Sequence, residues 1–388
     1  GRFGVTARFK TPDVRARAEV AELYLKKAVQ KNWVHPELLS PEKIQELARA
    51  TPGMSPAEIE AMINLSPDVR LHHIENLKRI KEMLDSGIKF EELLEEDRIF
   101  WMKYKDELNK PGWDDPRADW RSLMEARSQV LYGKADPGRV TSENKRRTAF
   151  HETAHLIALK AFLGNQMKPT VFSIMPRGQA LGMVAHVPVE ERDPKPQSFY
   201  EGLLRVSLAS VVGERFFFNE NEPGVSSDLE NATRIACYMV GKAAMVPYRC
   251  SPLHRKKYAS IGETLISVSD EPIGLTPWAR TFVERVLSDP RARERVAVLL
   301  GQAIVDVYRV IKANEDLFYD IVNRLLELEE ISGKELEELW ESLDKKLIPL
   351  NALSKRYRSI WPERLFFGQE NPFYYAVSPK PEAKRGGS

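Results

Sequence analysis

His151, Glu152 and His155 spell His-Glu-Thr-Ala-His, the place in this sequence where residue types and spacing together specify a reaction. Residues four apart lie on one face of a helix, so both imidazoles can reach a single zinc ion while the carboxylate between them stays beside it. Zinc lowers the pKa of a bound water towards neutrality, and a carboxylate that is not itself a ligand takes the proton as that water attacks a polarised carbonyl. The motif therefore predicts His151 and His155 as metal ligands, Glu152 as general base, and peptide-bond hydrolysis as the reaction. Two histidines at this spacing with a glutamate between them are unusual for core packing, the competing explanation.

Catalytic zinc needs a third protein ligand and an open position for water. Two carboxylates stand in suitable places. Glu214 lies in the apolar, helical stretch 203–218, and Asp228 follows Gly224-Val225-Ser226-Ser227 at the start of a helix predicted over 229–240. A carboxylate at a helix start commonly caps it. Here Ser226 or Ser227 can cap instead, which leaves Asp228 to point at the metal. Spacing alone does not choose between Glu214 and Asp228.

The elements around these residues are mostly helical. Ala149, Phe150, Ala154, Leu156, Ile157, Ala158 and Leu159 make the motif helix largely apolar, hence buried. After it, β-branched and aromatic residues at 170–175 and 181–187, separated by Pro176-Arg177-Gly178, predict a β-hairpin or two neighbouring strands. An edge strand near a metal can take up an extended peptide main chain to main chain, which makes Ile174, Gly178, Leu181 and Gly182 a candidate substrate strand. His186 on the second strand reads as a partly exposed strand histidine rather than a ligand. Towards the N-terminus, residues 5–9 are strand-like, and helices follow over 14–29, over 40–50 and from the capping box Ser55-Pro56-Ala57-Glu58. Residues 76–119 are helical and charged and carry Trp101 and Trp113, with Trp120 just beyond; anchoring a helical hairpin is the simpler reading of these indoles. Helices recur over 278–287, 293–312 and 317–328, and a last one opens at the capping box Ser332-Gly333-Lys334-Glu335. Residues 347–388 mix aromatic and basic side chains with prolines.

Composition narrows the class. A chain of 388 residues that is 43% hydrophobic builds more than one core. A net charge of +2 gives no sign of the concentrated positive field that nucleic acid demands. Two cysteines, Cys237 and Cys250, are too few for a disulfide framework, which suits a reducing compartment. No apolar run reaches the roughly 18–20 residues that cross a bilayer, so the chain is expected to be soluble as it stands.

Three segments, in order, resemble the peptidase domain of the FtsH family of membrane-anchored AAA proteases. TAFHETAHLIAL is similar to the family's zinc helix, SIMPRGQALGMVAHVPVEER to its Pro-Arg-Gly strand segment, and GVSSDLENATRIACYMV to its Asp-Leu-x-x-Ala-Thr helix. Upstream, GRF, TPDVRAR, ATPGMSPAEIEAMIN and SLMEARSQVLYG are similar to the end of the AAA module and its lid. The resemblance implies a fold that is mainly α with a small β-sheet: a helical AAA lid over 1–133, with an insertion at about 76–119, a mostly helical zinc peptidase domain over 134–346, and a C-terminal tail over 347–388. It assigns Asp228 as third zinc ligand, places Glu214 beside the metal ligands, and gives Arg2 as a candidate arginine finger. It implies a homo- or hetero-hexamer in protein quality control, acting on unfolded or membrane polypeptides from a reducing compartment such as bacterial cytoplasm, chloroplast stroma or mitochondrial matrix. These 388 residues contain no phosphate-binding GxxxxGK[ST] loop, so ATP, Mg2+ and the membrane anchor are expected of the full-length protein. Thr153-Ala154 stands where the family usually has Ala-Gly. With the long insertion, that departure keeps open a second expectation: a proteolytically inactive subunit acting in assembly or in a protein-translocation motor.

Overall fold

Hydroxyl and carboxylate side chains fix where the helices begin. Ser55 Oγ accepts from the Glu58 amide at 3.3 Å while Glu58 accepts from the Ser55 amide at 2.7 Å, the reciprocal pair that the sequence predicts. Asp13, Ser40, Asp119, Ser251 and Asp289 cap further helices in the same way. The computed structural model describes residues 12–135, 140–178, 180–189, 195–245, 251–267, 277–362 and 365, without the side chains of 95, 103 and 277–281. The strand expected over 5–9, Arg2, Cys250 and the aromatic residues beyond 365 lie outside them.

The chain divides into two compact units, residues 1–141 with 175–182, and residues 142–174 with 183–388. The first is built from α1 (Val14–Gln30), α2 (Pro41–Ala50), α3 (Pro56–Asp85), α4 (Glu95–Tyr104) and α5 (Trp120–Tyr132). Its core is formed by Ala21, Leu25, Leu47, Ile59, Met62, Leu123 and Ala126, all buried. Pro67 sits inside α3 and lacks the amide that would bond the Ile63 carbonyl; Ser66 Oγ donates to that carbonyl instead, at 2.9 Å. The helix consequently runs unbroken past Asn76 to Asp85.

The second unit contains α6 (Ser142–Leu163), β1 (Met167–Ser173), β2 (Met183–Pro188), α7 (Gln197–Ser207), α8 (Ala209–Phe218), α9 (Ser226–Gly241), α10 (Pro252–Glu263), α11 (Pro277–Ser288), α12 (Pro290–Ala313), α13 (Glu315–Leu328), β3 (Glu330–Ser332), α14 (Gly333–Lys346) and the short α15 (Lys355–Arg358). The fold is mainly helical with one small antiparallel sheet, the class expected. The sheet runs in the order β2-β1-β3, with Phe172 opposite Val184 on one side and Ile331 on the other. β2 is thus an edge strand among the described residues. α6 and α12 are buried on nearly every face and are surrounded by the other helices. A buried ion pair, Lys145 to Glu329 at 2.5 Å, ties the start of α6 to the end of α13.

Two local expectations are corrected. The capping box read at Ser332 does not form: Ser332 pairs with Val171 in β3, and Glu335 turns to Arg324 at 3.0 Å. The candidate substrate strand is displaced. Ile174 follows the end of β1, buried, with its amide on the Glu329 carbonyl, whereas Gly178, Leu181 and Gly182 lie in the connection before β2. That connection leaves the sheet because Pro176 cannot donate to a ladder and Gly178 takes φ +56°, while the Arg177 guanidinium is held by Glu125 at 3.2 Å and the Gly133 carbonyl at 3.3 Å.

Candidate metal centre

Four helices and one strand of the second unit meet at the His-Glu-Thr-Ala-His motif, α7 and β2 contributing the backbone groups of Val206 and Val184. α6 supplies His151, Glu152 and His155, α8 supplies Ser210 and Glu214, and α9 supplies Asp228. The outer nitrogens of the two imidazoles are already engaged. His151 Nδ1 lies 2.7 Å from Glu214 Oε1, and His155 Nδ1 lies 2.8 Å from the Val206 carbonyl. A carbonyl only accepts, so His155 carries its proton on Nδ1 and presents a lone pair on Nε2. The same tautomer suits His151 beside the Glu214 carboxylate, whose other oxygen accepts the Glu222 amide at 2.7 Å.

Both Nε2 atoms therefore turn inwards, towards Asp228. The two nitrogens are 3.3 Å apart, and Asp228 Oδ2 lies 3.3 Å from His151 Nε2 and 3.2 Å from His155 Nε2. These donors converge on one point, with the Ser210 hydroxyl donating to Asp228 Oδ2 from outside at 2.6 Å. Two imidazole lone pairs and a carboxylate aimed at one another need a positive charge among them, a metal ion or protons on the imidazoles. Ligands at roughly 2.0–2.1 Å from a tetrahedral zinc ion stand about 3.3 Å apart, so spacing and donor types both fit Zn2+. Two imidazoles and one carboxylate leave the fourth position open.

Electrostatics follow from the same contacts. Burial disfavours a charged His151, but Asp228, Glu214 and Glu152 outweigh it and raise its pKa well above the usual imidazole value; Asp228 raises that of His155 likewise. Burial disfavours the Asp228 carboxylate too, and the two facing imidazoles reverse this, holding its pKa low. Glu152 is 5% exposed, and its pKa is raised, chiefly by burial, while its carboxylate accepts the Val184 amide of β2. A poised, water-shielded carboxylate beside a ligand cluster is the environment of a general base.

Asp228 comes to the site although neither expected serine cap forms. α9 starts at Ser226 without a side-chain cap, and Ser227 Oγ donates to the Gly224 carbonyl at 3.4 Å. Glu214 is one atom layer out, against His151 rather than in the cluster. His186 is on β2 with Nδ1 3.0 Å from the Val184 carbonyl, and burial lowers its pKa; it is not among the converging donors. Ser210, the Val206 carbonyl and the Val184 amide escape sequence reasoning. Ser210 had a signal, a lone hydroxyl one helical turn before Glu214 on the same face. The Val206 carbonyl had none, because it depends on the interruption between α7 and α8 at Leu208.

The family model of peptidase family M41 matches residues 139–339, about half of the 388. Relatives include the ATP-dependent zinc metalloprotease FTSH 11, chloroplastic/mitochondrial, of Arabidopsis thaliana, 24% identical over 87% of this chain and 33% of the relative. The ATP-dependent zinc metalloprotease FtsH of Acidobacterium capsulatum is 25% identical over 89% of this chain and 44% of the relative, and YME1L1 of Mus musculus, also named an ATP-dependent zinc metalloprotease, is 24% identical over 89% and 38%. The chain thus spans between a third and just under half of the length of these relatives. Among the described residues no helix is long and apolar enough to cross a membrane.

Proposed function

This chain belongs to peptidase family M41, and on that footing we propose that it is the zinc-dependent endopeptidase part of an ATP-dependent, FtsH-like protease that cleaves unfolded or membrane polypeptides in protein quality control. The observation that carries the reading is the convergence of His151 Nε2, His155 Nε2 and Asp228 Oδ2 beside the buried Glu152 carboxylate. These three hold the zinc; when bound, zinc activates a water and polarises the scissile carbonyl. Glu152 takes the proton of the attacking water and returns it to the leaving amine. Glu214 and the Val206 carbonyl keep both imidazoles in the tautomer that offers Nε2, and Ser210 orients Asp228. The edge of β2 is the place for an extended substrate backbone, in lieu of Ile174, Gly178, Leu181 and Gly182. In the full-length protein, ATP and Mg2+ drive a membrane-anchored hexamer that feeds polypeptide to this site, and Arg2 belongs to that motor as an arginine finger.

Zinc content and casein cleavage of the wild type, Glu152→Gln and His155→Ala test the proposal together. Stoichiometric zinc is expected in the wild type and Glu152→Gln, and its loss in His155→Ala. Cleavage should drop by about 10²–10⁴-fold in Glu152→Gln, the range of general acid–base catalysis. A wild type that takes up no zinc refutes the reading. Zinc uptake without cleavage, persisting when a motor is supplied, makes the chain the inactive subunit of an assembly or translocation machine.

A further inference from the structure

β2 sends its main-chain groups to two opposite sides. Val189, just past its end, donates its amide to the Gln166 carbonyl at 2.8 Å, and the Ala185 carbonyl accepts from Thr170 Oγ of β1 at 3.3 Å. Successive residues of a strand alternate, so Val184 and His186 turn their amides and carbonyls away from β1, to the edge that no strand covers among the described residues. The irregularity in the pairing leaves this alternation intact, because its extra residue is in β1: Ala185 and His186 stand opposite Val171 and Pro169.

At Val184 that edge is already occupied. The amide donates to the Glu152 carboxylate, and the carbonyl accepts from His186 Nδ1 at 3.0 Å. A carbonyl only accepts, so His186 carries its proton on Nδ1. The imidazole lies on the same face of the strand as Val184, which packs on the core that includes α6, and His155 is within its electrostatic reach. His186 thus stands beside the metal donors without being one of them. It gives the Val184 carbonyl the hydrogen bond that the amide of an added strand gives in its place.

A substrate backbone that pairs with β2 needs that carbonyl. Its N–H comes in, and the His186 Nδ1–H comes off. A half-buried donor that loses its acceptor is costly unless it finds another. The substrate residue directly across from His186 presents its side chain on the same face, with the two Cβ atoms roughly 4.5–5.5 Å apart. A carboxylate or amide oxygen on that side chain accepts the freed proton, and an aliphatic side chain does not.

We infer that His186 is a specificity-determining residue of the β2 edge: it holds the Val184 carbonyl until a substrate amide replaces it, and it selects extended polypeptide with an acidic or amide side chain across from His186. The inference rests on β2 being the substrate edge of a peptidase and adds the class of side chain that the edge takes.

The test reads binding and cleavage side by side. Fluorescein-labelled Ala/Val peptides with one Asp, Asn or Leu moved through each position are titrated by anisotropy into the full chain carrying Glu152→Gln with zinc added, and cleavage of the same peptides is followed with Glu152 intact. At one position Asp and Asn should both bind about tenfold more tightly than Leu of similar shape, and the preference should appear in KM rather than kcat. His186→Ala should abolish the preference and bind the Leu peptides about three- to tenfold more tightly, since their amide no longer displaces a hydrogen bond. His186→Asn, whose amide nitrogen stands in for Nδ1, should restore the preference. In proton–nitrogen correlation spectra the His186 Nδ1–H signal should move when the Asn peptide is added. No preference for Asp and Asn at any position, or the same preference in His186→Ala, would overturn the inference even if the wild type cleaves every peptide. A binding preference that His186→Ala removes, in a chain whose wild type cleaves none of them, upholds the role of His186 and refutes the peptidase instead.

Discussion

Ala154 is where the motif departs from the family's usual Ala-Gly, and Gly213 of α8 is what makes room for it. Ala154 is fully buried, and a Cβ built on Gly213 would stand 2.8 Å from the Ala154 methyl, closer than real Cβ atoms approach. The crossing of α6 and α8 has space for one methyl, and this sequence puts it on α6. The spacing bears on chemistry because Gly213 precedes Glu214, which orients His151. Gly213→Ala should therefore lose roughly 1–2 kcal/mol of stability in urea unfolding, since overpacking outweighs the approximately 1 kcal/mol that alanine adds to a helix interior. Ala154→Gly should lose at least about 1 kcal/mol by the reverse change. The swap Ala154→Gly/Gly213→Ala should recover most of both losses, with a coupling of about 1 kcal/mol or more. Additive losses, or a stabilising Gly213→Ala, would show that the helices have slack there.

Elements were legible where spacing and caps agreed. The start of α3 was readable from its capping box at Ser55, and the boundaries of α11, α12 and α13 within a few residues from their periodic apolar runs, whereas the end of α3 at Asp85 was not, because the charged residues from about 76 onward read as an insertion. β3 was not, since its three residues overlap what reads as a capping box and its strand character comes from pairing with β1. At the site, His151, Glu152 and His155 carried their own signal, and Asp228 needed the family resemblance. The backbone groups that position them have no side-chain identity to read. The polar contact bridging α3, the turn Lys105–Asn109 and α5 was equally hidden, being dispersed over 48 residues of sequence. There His73 Nε2 lies 3.1 Å from Glu107 Oε2, Arg121 engages the same carboxylate, Asp119 and Arg70 stand nearby, and Phe100 and Tyr104 pack on the imidazole. Burial lowers the His73 pKa below 6.5, with Arg121 and Arg70 adding to it against the pull of Glu107. Burial would raise Glu107, but His73 and Arg121 bring it down to about 2. Both folded values lie below the unfolded ones, so both contributions are complete above the unfolded pKa and are lost as pH falls through the folded one. Thermal stability of the first unit should thus drop in two stages, beginning below about pH 6.5 and again below about pH 4.5. His73→Gln should abolish the upper stage alone, and Glu107→Gln should cost about 2 kcal/mol at neutral pH. Melting curves of His73→Gln that track the wild type between about pH 5 and 7 would remove His73 from the account.

At the scale of the molecule, two hydrophobic cores divide the chain, one drawn from residues 18–126 and the other from 149–347. Each is contained in its own compact unit, and the metal donors belong only to the second. Separate cores unfold as separate cooperative transitions when neither needs the other's contacts. Zinc held as proposed, by donors on α6 and α9, helices distant in sequence that come together only on folding, would add its binding free energy to the stability of the second unit alone. At free zinc about a thousand times Kd, the gain is about 4 kcal/mol, which for a unit of this size is a rise of roughly 10 °C in one transition. Differential scanning calorimetry should accordingly show two transitions in the zinc-loaded chain. Adding 1,10-phenanthroline should lower one of them and leave the other in place, and His155→Ala should show the lowered value without chelator. His73→Gln should move only the transition that phenanthroline spares, which assigns each transition to its unit by an independent mark. A single transition that shifts as a whole with zinc would mean that the units unfold together, and insensitivity of both transitions to zinc would leave the convergence of His151, His155 and Asp228 without its cation.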